Sequence, residues 1–419
     1  MRITPSILTI LPTLTLAACL GNHNSTIGSA VPPPPVVNSM AVTVDSGPAG
    51  NTGQFNHAYV TVKVCAPGST TQCANIDHVL LDTGSWGLRL VRSVLTAAAV
   101  TLTGETDSQG QAIEECVTFG GGQTWGPVAL ADVTLAGEVA AKVPVQVMDD
   151  SVPTSSFCAA PLLNSVAGFG ANGLLGVGVF AQDCGAACVS AATPLPVYFG
   201  CTSAGACTAE NVALADQVTN PVSMFAADDN GIMIKMPNLA NANGDASVAG
   251  ELIFGIGTQT DNALPATGLT VLGADSSTGD FHATYSSSSY NSGATPLPAL
   301  FDTGTDDYSF NDPTTGVCSL TSNPPSSGMW LGDYCPAPAP ETVSVMNAGV
   351  GANNGTSTVT FAVADPNTFV AGAAAVGGLA GGGGATNFIY GMPFFYGRTI
   401  YVGMNGKMAG TYTGPFYAY

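Results

Sequence analysis

Short alternations of apolar and polar residues run through most of the chain, and their period of two is that of a β-strand. Residues 58–64 alternate in this way, and residues 76–81 form an apolar run after a turn-rich link. Residues 117–119 lead into three glycines and residues 128–135 return, which predicts a hairpin with a glycine tip. No stretch of helical period dominates, so the pattern predicts an all-β chain.

Two further apolar runs end at glycines, at residues 172–178 and 387–391. We expect each to be a buried strand in which glycine permits a close backbone approach. A similar run at residues 250–257 predicts a strand that closes one half of the molecule. Residues 286–293 are rich in serine and residues 371–385 are almost all glycine and alanine, so both are expected to be loops.

One motif occurs twice. Residues 80–85 are Leu-Leu-Asp-Thr-Gly-Ser, and residues 300–305 are Leu-Phe-Asp-Thr-Gly-Thr. In each, a strand leads an Asp into a tight turn, where Gly lets the backbone fold back beside a hydroxyl side chain. One copy would be a weak signal, since these are ordinary turn residues. Two copies predict that Asp82 and Asp302 face each other, the arrangement that shares one proton and activates a water.

The composition says little about the fold but more about which partners the protein can bind. With 419 residues, 46% of them hydrophobic, the chain can form one large or two medium globular domains. The 28 acidic and 8 basic residues give a net charge of −20. No nucleic-acid partner is expected, because phosphates need cations. The same shortage of cations limits the positive charge at low pH, so acid tolerance is expected.

The N-terminus is expected to be a targeting segment. Its apolar stretch at residues 6–18 is too short for a membrane span and ends in Leu-Ala-Ala before Cys19. This ending resembles a bacterial lipoprotein signal, and the alternative is an ordinary secretory signal that is cut nearby. By the resemblance, residues 1–18 are the signal peptide, Cys19 is lipidated, and the proline-rich residues 19–41 form a tether. Leu20 follows the cysteine, which favours the outer membrane of the cell envelope and leaves open which face.

The other ten cysteines are expected to form disulfides, since their number is even and the chain is exported. Connectivity does not follow from sequence, but the natural local pairs are Cys65–Cys73, Cys201–Cys207 and Cys318–Cys335. No metal site is expected, because the four histidines are scattered and no paired Cys-x-x-Cys motifs occur.

The order of the motifs resembles that of the pepsin-like aspartic endopeptidases over roughly residues 55–410. The whole chain also looks like a group of bacterial lipoproteins of unassigned function. The first resemblance implies an all-β, bilobal fold with pseudo-twofold symmetry and a central cleft. Residues 42–257 would form the N-terminal lobe and residues 258–419 the C-terminal lobe. Because both Asp motifs lie in one chain, we expect a monomer.

The resemblance also assigns roles to the residues of the two motifs. Asp82 and Asp302 would be the catalytic pair, and no cofactor is implied. Thr83 and Thr303 would hydrogen-bond across the pseudo-twofold axis. The other supporting residues would be Gly84, Ser85, Gly304 and Thr305, with the two hydroxyls on the outer carboxylate oxygens.

The predicted hairpin corresponds to the flap that covers the substrate, with Phe119, Gly120 and Gly121 near its tip. Family members usually have Tyr where Phe119 stands, and Phe offers no hydroxyl. The usual Trp partner of that Tyr falls at Arg89. Two tryptophans lie nearby in sequence as possible substitutes, Trp86 and Trp125.

Asp306 and Asp307 directly follow the second motif. We interpret them as a solvated acidic turn. In the alternative, one of them points at the Asp pair and raises its pKa.

The sequence thus predicts a membrane-tethered aspartic endopeptidase that hydrolyses peptides or unfolded proteins. The alternative is a catalytically inert binding or inhibitor protein on the same fold, motivated by the altered flap and the missing Trp. An inert descendant would not need both aspartates, and both are present, which favours the enzyme.

Overall fold

The computed structural model describes residues 37–149, 151, 158, 161–203, 205–318, 332–383 and 386–419. The predicted signal peptide, Cys19 and most of the tether lie outside these residues. The first strand begins at Ser39, slightly before the predicted start of the fold at residue 42.

The described residues form strands with only short helical segments between them, so the predicted all-β class is confirmed. The strands before residue 258 are β1 (Ser39–Val44), β2 (Ala58–Cys65), β3 (Cys73–Asp82), β4 (Trp86–Val91), β5 (Thr103–Gly104), β6 (Ala112–Phe119), β7 (Gly122–Leu135), β8 (Glu138–Met148), β9 (Gly173–Val177), β10 (Tyr198–Cys201), β11 (Cys207–Ala209), β12 (Gly231–Lys235) and β13 (Val248–Phe254). The strands after it are β14 (Val271–Gly273), β15 (Phe281–Ser286), β16 (Leu297–Phe301), β17 (Tyr308–Phe310), β18 (Glu341–Ala348), β19 (Thr356–Val363), β20 (Ala380–Gly382), β21 (Phe388–Tyr390), β22 (Thr399–Gly403), β23 (Met408–Ala409), β24 (Tyr412–Thr413) and β25 (Phe416–Ala418). The α-helices are α1 (Arg92–Ala97) and α2 (Val166–Phe169), and the 3₁₀ turns are Gly185–Cys188, Leu214–Asp216, Pro221–Met224, Pro366–Thr368 and Met392–Phe394.

Each Asp motif lies in the same three-strand frame. β3 carries Asp82 and pairs in parallel with β9, which places Asp82 opposite Gly176. β4 follows the motif and pairs antiparallel with β9. In the second half β16 pairs in parallel with β21, and β17 pairs antiparallel with β21. This repeat confirms the predicted bilobal, pepsin-like fold with its pseudo-twofold relation.

One sheet connects the two halves. The largest sheet joins 16 strands, and at one end the order is β1-β13-β12-β22-β25-β14. β12 pairs antiparallel with β22, so strands distant in sequence lie side by side. The second motif belongs to a seven-stranded sheet of order β19-β18-β15-β16-β21-β17-β20. The lobe boundary at residue 258 falls between β13 and β14 and stays a prediction.

The two motifs rest on different kinds of core. Valine and leucine side chains from β2, β3, β7 and β8 fill the first half. Behind Asp302 the core is aromatic: Phe301 stacks on Phe394 with ring centroids 4.7 Å apart. Phe301 also contacts Phe281 and Tyr390. The aliphatic and aromatic residues belong to one buried cluster, so both Asp turns are backed by packed side chains.

The structure confirms several local expectations and corrects one. β6 and β7 form the predicted hairpin, with Phe119 opposite Gly122. The three local disulfides are present, and two further pairs are Cys116–Cys158 and Cys184–Cys188. The glycine-alanine stretch is not wholly a loop, because β20 pairs in parallel with β17. Its small residues permit that pairing, since a Cβ on Gly381 would lie 2.2 Å from Asp307 Oδ2.

Asn56 ties the segment before β2 to loops of the second half. It is fully buried and has a left-handed backbone (φ 53°), which Asn tolerates better than most residues. Its Nδ2 donates to the carbonyl oxygens of Asp306 (2.7 Å) and Val376 (2.9 Å). Its Oδ1 accepts from Val376 N (2.8 Å) and Tyr396 Oη (2.8 Å). All four hydrogen-bonding positions of the amide are therefore used.

Replacing Asn56 with Ala should destabilise the fold by roughly 2–4 kcal/mol, because buried polar groups lose their partners together. Urea denaturation followed by circular dichroism measures this change. Asn243→Ala is the matched control, since Asn243 is exposed, and it should change the free energy of unfolding by less than about 0.5 kcal/mol. Equal midpoints for both variants would contradict the linking role of Asn56.

Candidate active site

The two Asp side chains are held by equivalent hydrogen bonds. Gly84 N donates to Asp82 Oδ1 at 2.7 Å, and Gly304 N donates to Asp302 Oδ1 at 2.8 Å. The second oxygen of each carboxyl accepts from a hydroxyl. Ser85 Oγ lies 2.5 Å from Asp82 Oδ2, and Thr305 Oγ1 lies 2.7 Å from Asp302 Oδ2. Each carboxyl therefore accepts one backbone and one hydroxyl hydrogen bond from its own motif.

The two threonines cross between the motifs. Thr83 N donates to Thr303 Oγ1 at 3.2 Å, and Thr303 N donates to Thr83 Oγ1 at 3.1 Å. Each hydroxyl then donates to the residue before the opposite Asp, Thr83 to Phe301 O (2.7 Å) and Thr303 to Leu81 O (2.6 Å). Both threonines are buried. This closed set of hydrogen bonds fixes one Asp turn against the other.

The threonine bonds bring the two carboxyls together. A Cβ on Gly84 would lie 2.6 Å from Asp302 Cγ, and a Cβ on Gly304 would lie 2.8 Å from Asp82 Cγ. Each carboxyl therefore fills the space in which any other residue of the opposite motif would carry a side chain. Glycine at both positions is a requirement for this close approach.

The surroundings of Asp82 disfavour its ionised form. Burial, the charge of Asp302 and a hydrogen bond to Asp302 raise the pKa of Asp82 well above its ordinary value, and the bonds from Ser85 and Gly84 only partly oppose this. Asp82 is 5% exposed, whereas Asp302 is half-buried, so solvent reaches the pair from one side. A protonated carboxyl beside a solvent-accessible carboxylate can act as acid and base on one water.

The two predicted strands that end in glycine, β9 and β21, pair in parallel with the strands that lead to the two Asp residues. In β9, a Cβ on Gly176 would lie 2.6 Å from Trp86 N. After β21, a Cβ on Gly391 would lie 2.0 Å from Asp307 O. Both glycines thus permit the backbone that follows each motif to lie directly on the supporting strand.

Asp306 and Asp307 do not form the solvated acidic turn that we expected. Both are half-buried. Burial, with the charge of Asp302 as a smaller cause, raises the pKa of Asp306 to about 6. Burial and the charges of Asp306 and Asp333 raise the pKa of Asp307 to about 8. β20 encloses this turn, because Gly381 leaves room for the Asp307 carboxyl.

The β6–β7 hairpin, which the sequence predicts to be a flap, has an exposed glycine tip and a half-buried ring near it. Gly120 and Gly121 are exposed, and glycine offers wide backbone freedom there. Phe119 is half-buried, and its ring centroid lies 6.3 Å from that of Phe169. The buried residues of the same apolar cluster are Tyr59, Leu80, Ala171 and Leu174. Since Leu80 is on the strand that carries Asp82, the ring lies beside the base of the first motif.

Arg89, at the position expected for Trp, is the main feature that the sequence did not explain. It is 1% exposed, and its Nη2 contacts Glu115 Oε1 (2.7 Å) and Asp183 Oδ2 (3.1 Å). Its Cζ lies 5.6 Å from the ring centroid of Phe119. An arginine inside the apolar run of β4 was the available signal, but its partners are 26 and 94 residues away.

The two tryptophans named as substitutes have other neighbours. Trp86 packs on Phe180 with centroids 4.9 Å apart, and Trp125 packs on Phe199 at 5.4 Å. Neither ring contact involves Phe119. Arg89 is therefore the residue that faces the Phe119 ring at this position.

The described part of the chain offers neither a metal centre nor a membrane-spanning helix. It contains no group of three or more His, Cys, Asp or Glu side chains arranged to hold a metal ion. Across those same residues, no helix is long and apolar enough to span a membrane.

The chain matches one protein family over residues 34–419, described as "Protein of unknown function (DUF3443)". The chain belongs to this family. Among proteins of curated function, no match was found. The fold is similar to that in the crystal structure of aspartic proteinase from Irpex lacteus, with 16% identity, 91% of this chain and 96% of that chain covered, and a TM-score of 0.46.

Replacing Asp82 with Asn should stabilise the folded protein at pH 7. The pKa of folded Asp82 lies above that of the unfolded chain, so wild-type stability from this group is fully present below about pH 4 and is lost as pH rises. The advantage of the variant should therefore shrink as the pH falls from 7 towards 4. Urea midpoints of both proteins at several pH values measure it.

Asp275→Asn is a control with the opposite sign. Hydrogen bonds from the hydroxyl and backbone of Ser277 lower the pKa of the exposed Asp275 carboxyl. Its replacement should lower stability at pH 7. A loss of stability in both variants at pH 7 would contradict the forced pairing of Asp82 with Asp302.

Proposed function

We propose that the protein is a pepsin-like aspartic endopeptidase in which Asp82 and Asp302 are the catalytic pair. One observation carries the proposal: two carboxyls are held in mutual contact by reciprocal threonine hydrogen bonds, and burial raises the pKa of Asp82 well above its ordinary value. Structural stability alone does not call for such an arrangement, because like-charged groups held together in a buried site are costly.

Hydrolysis needs nothing beyond this pair, a water and the peptide. The ionised carboxyl takes a proton from the water, whose oxygen attacks the scissile carbonyl carbon. The protonated carboxyl gives its proton to the carbonyl oxygen, and a tetrahedral diol forms. The carboxyl that took the proton from the water then gives it to the amide nitrogen, and the C–N bond breaks. The other carboxyl takes a proton from a diol hydroxyl as the carbonyl of the new carboxyl group re-forms. The pair ends with one proton, and no covalent intermediate with the enzyme forms.

The other motif residues orient this pair. Their hydrogen bonds hold each carboxyl plane, so that no reorganisation is needed when the water reacts. In this proposal the residues are Thr83, Gly84, Ser85, Thr303, Gly304 and Thr305. The hairpin tip at Phe119, Gly120 and Gly121 would close over an extended peptide and exclude water. The substrate class is an extended peptide or an unfolded protein segment, since a folded chain does not present such a backbone.

The location is a separate proposal that rests on sequence alone. We propose that Cys19 carries a lipid that anchors the protein in the bacterial envelope, at the outer membrane. Residues 19–41 would then hold the folded part away from the bilayer surface. The enzyme would act there as a monomer, because one chain contains both Asp motifs.

Cleavage of an unfolded protein tests the catalytic proposal. We expect activity between about pH 3 and about pH 7, falling as the pH rises and the pair loses its shared proton. A statine-type inhibitor should abolish the activity. Asp82→Asn and Asp302→Asn should each lower it by at least roughly a thousandfold. Product analysis by mass spectrometry measures internal cleavage directly.

Asp275→Asn is the matched control, because it makes the same chemical change at an exposed carboxyl and should retain full activity. If the folded wild-type protein cleaves nothing across the pH range, the endopeptidase proposal fails. That result would favour an inert binding or inhibitor protein on the same fold.

Cys19→Ser tests the anchor. The wild-type protein, expressed in a Gram-negative bacterium, should incorporate labelled palmitate and sediment with membranes, whereas the variant should do neither. Leu20→Asp is the control, because it keeps Cys19 and should keep the lipid while moving the protein away from the outer membrane. Absence of label from the wild type would leave only the ordinary secretory signal, and equal labelling of Cys19→Ser would reject Cys19 as the lipidated residue.

A further inference from the structure

We propose that Arg89 is a positioning residue that couples the flap hairpin to the Asp82 turn through the face of the Phe119 ring. The coupling itself does not depend on catalysis. Its consequence for substrate, which is control over how the flap closes, rests on the proposed endopeptidase function.

Arg89 is fixed on the side of the Asp82 turn. It lies on β4, in register with Leu174 of β9, the strand behind the first motif. Its Nη1 donates to Trp86 O at 2.9 Å. Trp86 directly follows Ser85, whose hydroxyl bonds Asp82. The guanidinium therefore has a set position relative to the Asp82 carboxyl.

The same guanidinium contacts the flap hairpin at two points. Its Nη2 donates to Glu115 Oε1 at 2.7 Å, and Glu115 lies on β6 and is fully buried. Four residues further along β6, the Phe119 ring lies 5.6 Å from Arg89 Cζ, which is within the range of a cation–π contact. One contact holds the body of the hairpin, and the other reaches its tip.

A third partner keeps the guanidinium from turning away. Asp183 Oδ2 lies 3.1 Å from Nη2, and the Asp183 side chain is 6% exposed. Tyr198 Oη donates to Asp183 Oδ1 at 2.6 Å and accepts from Val218 N at 2.8 Å. The cation is thus enclosed by two carboxyls whose own positions are fixed, and little water competes with the ring for its face.

The flap pair expected from the family resemblance is Tyr with Trp, and here Phe119 and Arg89 stand at these positions. Both differences then have one explanation. A Trp at position 89 would offer an N–H, but the side chain of Phe119 provides no oxygen to accept it. An Arg instead offers a flat cation that attracts the face of a ring. Phe119 and Arg89 therefore form a matched pair, and the hairpin does not require a tyrosine hydroxyl.

Hydrogen–deuterium exchange of the free protein tests the coupling, with the amides of residues 117–123 as the readout. Phe119→Leu keeps the ion pairs but removes the ring face, and should accelerate exchange at the tip roughly tenfold. Phe119→Tyr keeps a ring and should restore slow exchange. A double-mutant cycle with Arg89→Gln should show that Phe119→Leu has little further effect once the cation is absent.

Arg398→Gln is the matched control. Arg398 Cζ lies 4.3 Å from the Phe394 ring centroid in the other half, so this variant loses the same kind of contact and should leave flap exchange unchanged. If Arg89→Gln does not fold, the cycle uses Arg89→Lys, which keeps a charge for the buried carboxyls but loses the planar group. Additive effects in the cycle, or fast exchange in Phe119→Tyr, would overturn the proposal.

The outcome is separable from that of the proposed function, because no substrate is present. Coupling without peptide cleavage would leave Arg89 as a positioning residue on a protein that is not a peptidase. Cleavage without coupling would leave the catalytic pair intact and reject the role of Arg89.

Discussion

The reciprocal hydrogen bonds of Thr83 and Thr303 are the constraint on which the site depends. They join two turns that lie 220 residues apart in the chain, and the hydroxyls of both threonines are fully engaged. The same bonds force two carboxyls into contact, which burial alone would oppose. Burial and the neighbouring charge raise the pKa of Asp82, so its acid–base behaviour follows from the way in which the two halves are joined. Asn56 provides a second fastening at a distance from the carboxyls, with all its amide bonds directed across the same junction.

The strand frames behind the two Asp turns have the same topology but differ in the side chains that pack against them. Both place a parallel strand and an antiparallel strand around the Asp, and both need glycine where backbones meet closely. The first frame is packed with aliphatic side chains, whereas the second rests on stacked rings around Phe301. Since only the backbone positions of the turns must match, the packing behind them is free to differ. The pseudo-symmetry is therefore strict at the threonines and loose in the core.

Much of the site could be predicted from sequence, because its defining residues are local. The Asp turns and the strands that end in glycine each depend on adjacent residues, and the three predicted disulfides join cysteines at most 17 positions apart. The buried cluster around Arg89 could not be predicted, because Glu115 and Asp183 are remote in sequence and each alone resembles an ordinary surface carboxylate. The same limit applies to Asp306 and Asp307. Their burial depends on β20, for which the glycine- and alanine-rich composition predicted a loop and not a strand. Cys116–Cys158 also joins segments whose proximity only the fold creates.

The structure shows a second way in which the many acidic residues affect stability at low pH. Few cations limit the charge repulsion in acid, but the described carboxyls add a distinct effect. Burial raises the pKa of Asp306, Asp333 and Asp307 to about 6, about 7 and about 8, while the unfolded chain would titrate near 4. Between about pH 8 and about pH 4 the folded state binds more protons than the unfolded state, so these groups favour folding more strongly as the pH falls. Acid denaturation in most proteins works through carboxylates that lose stabilising partners on protonation. Here burial already favours the neutral form of the carboxyls around the second Asp turn. Acid therefore removes the free-energy cost of burying ionised carboxylates. The low pH that favours a proton on the Asp pair thus also favours the folded state.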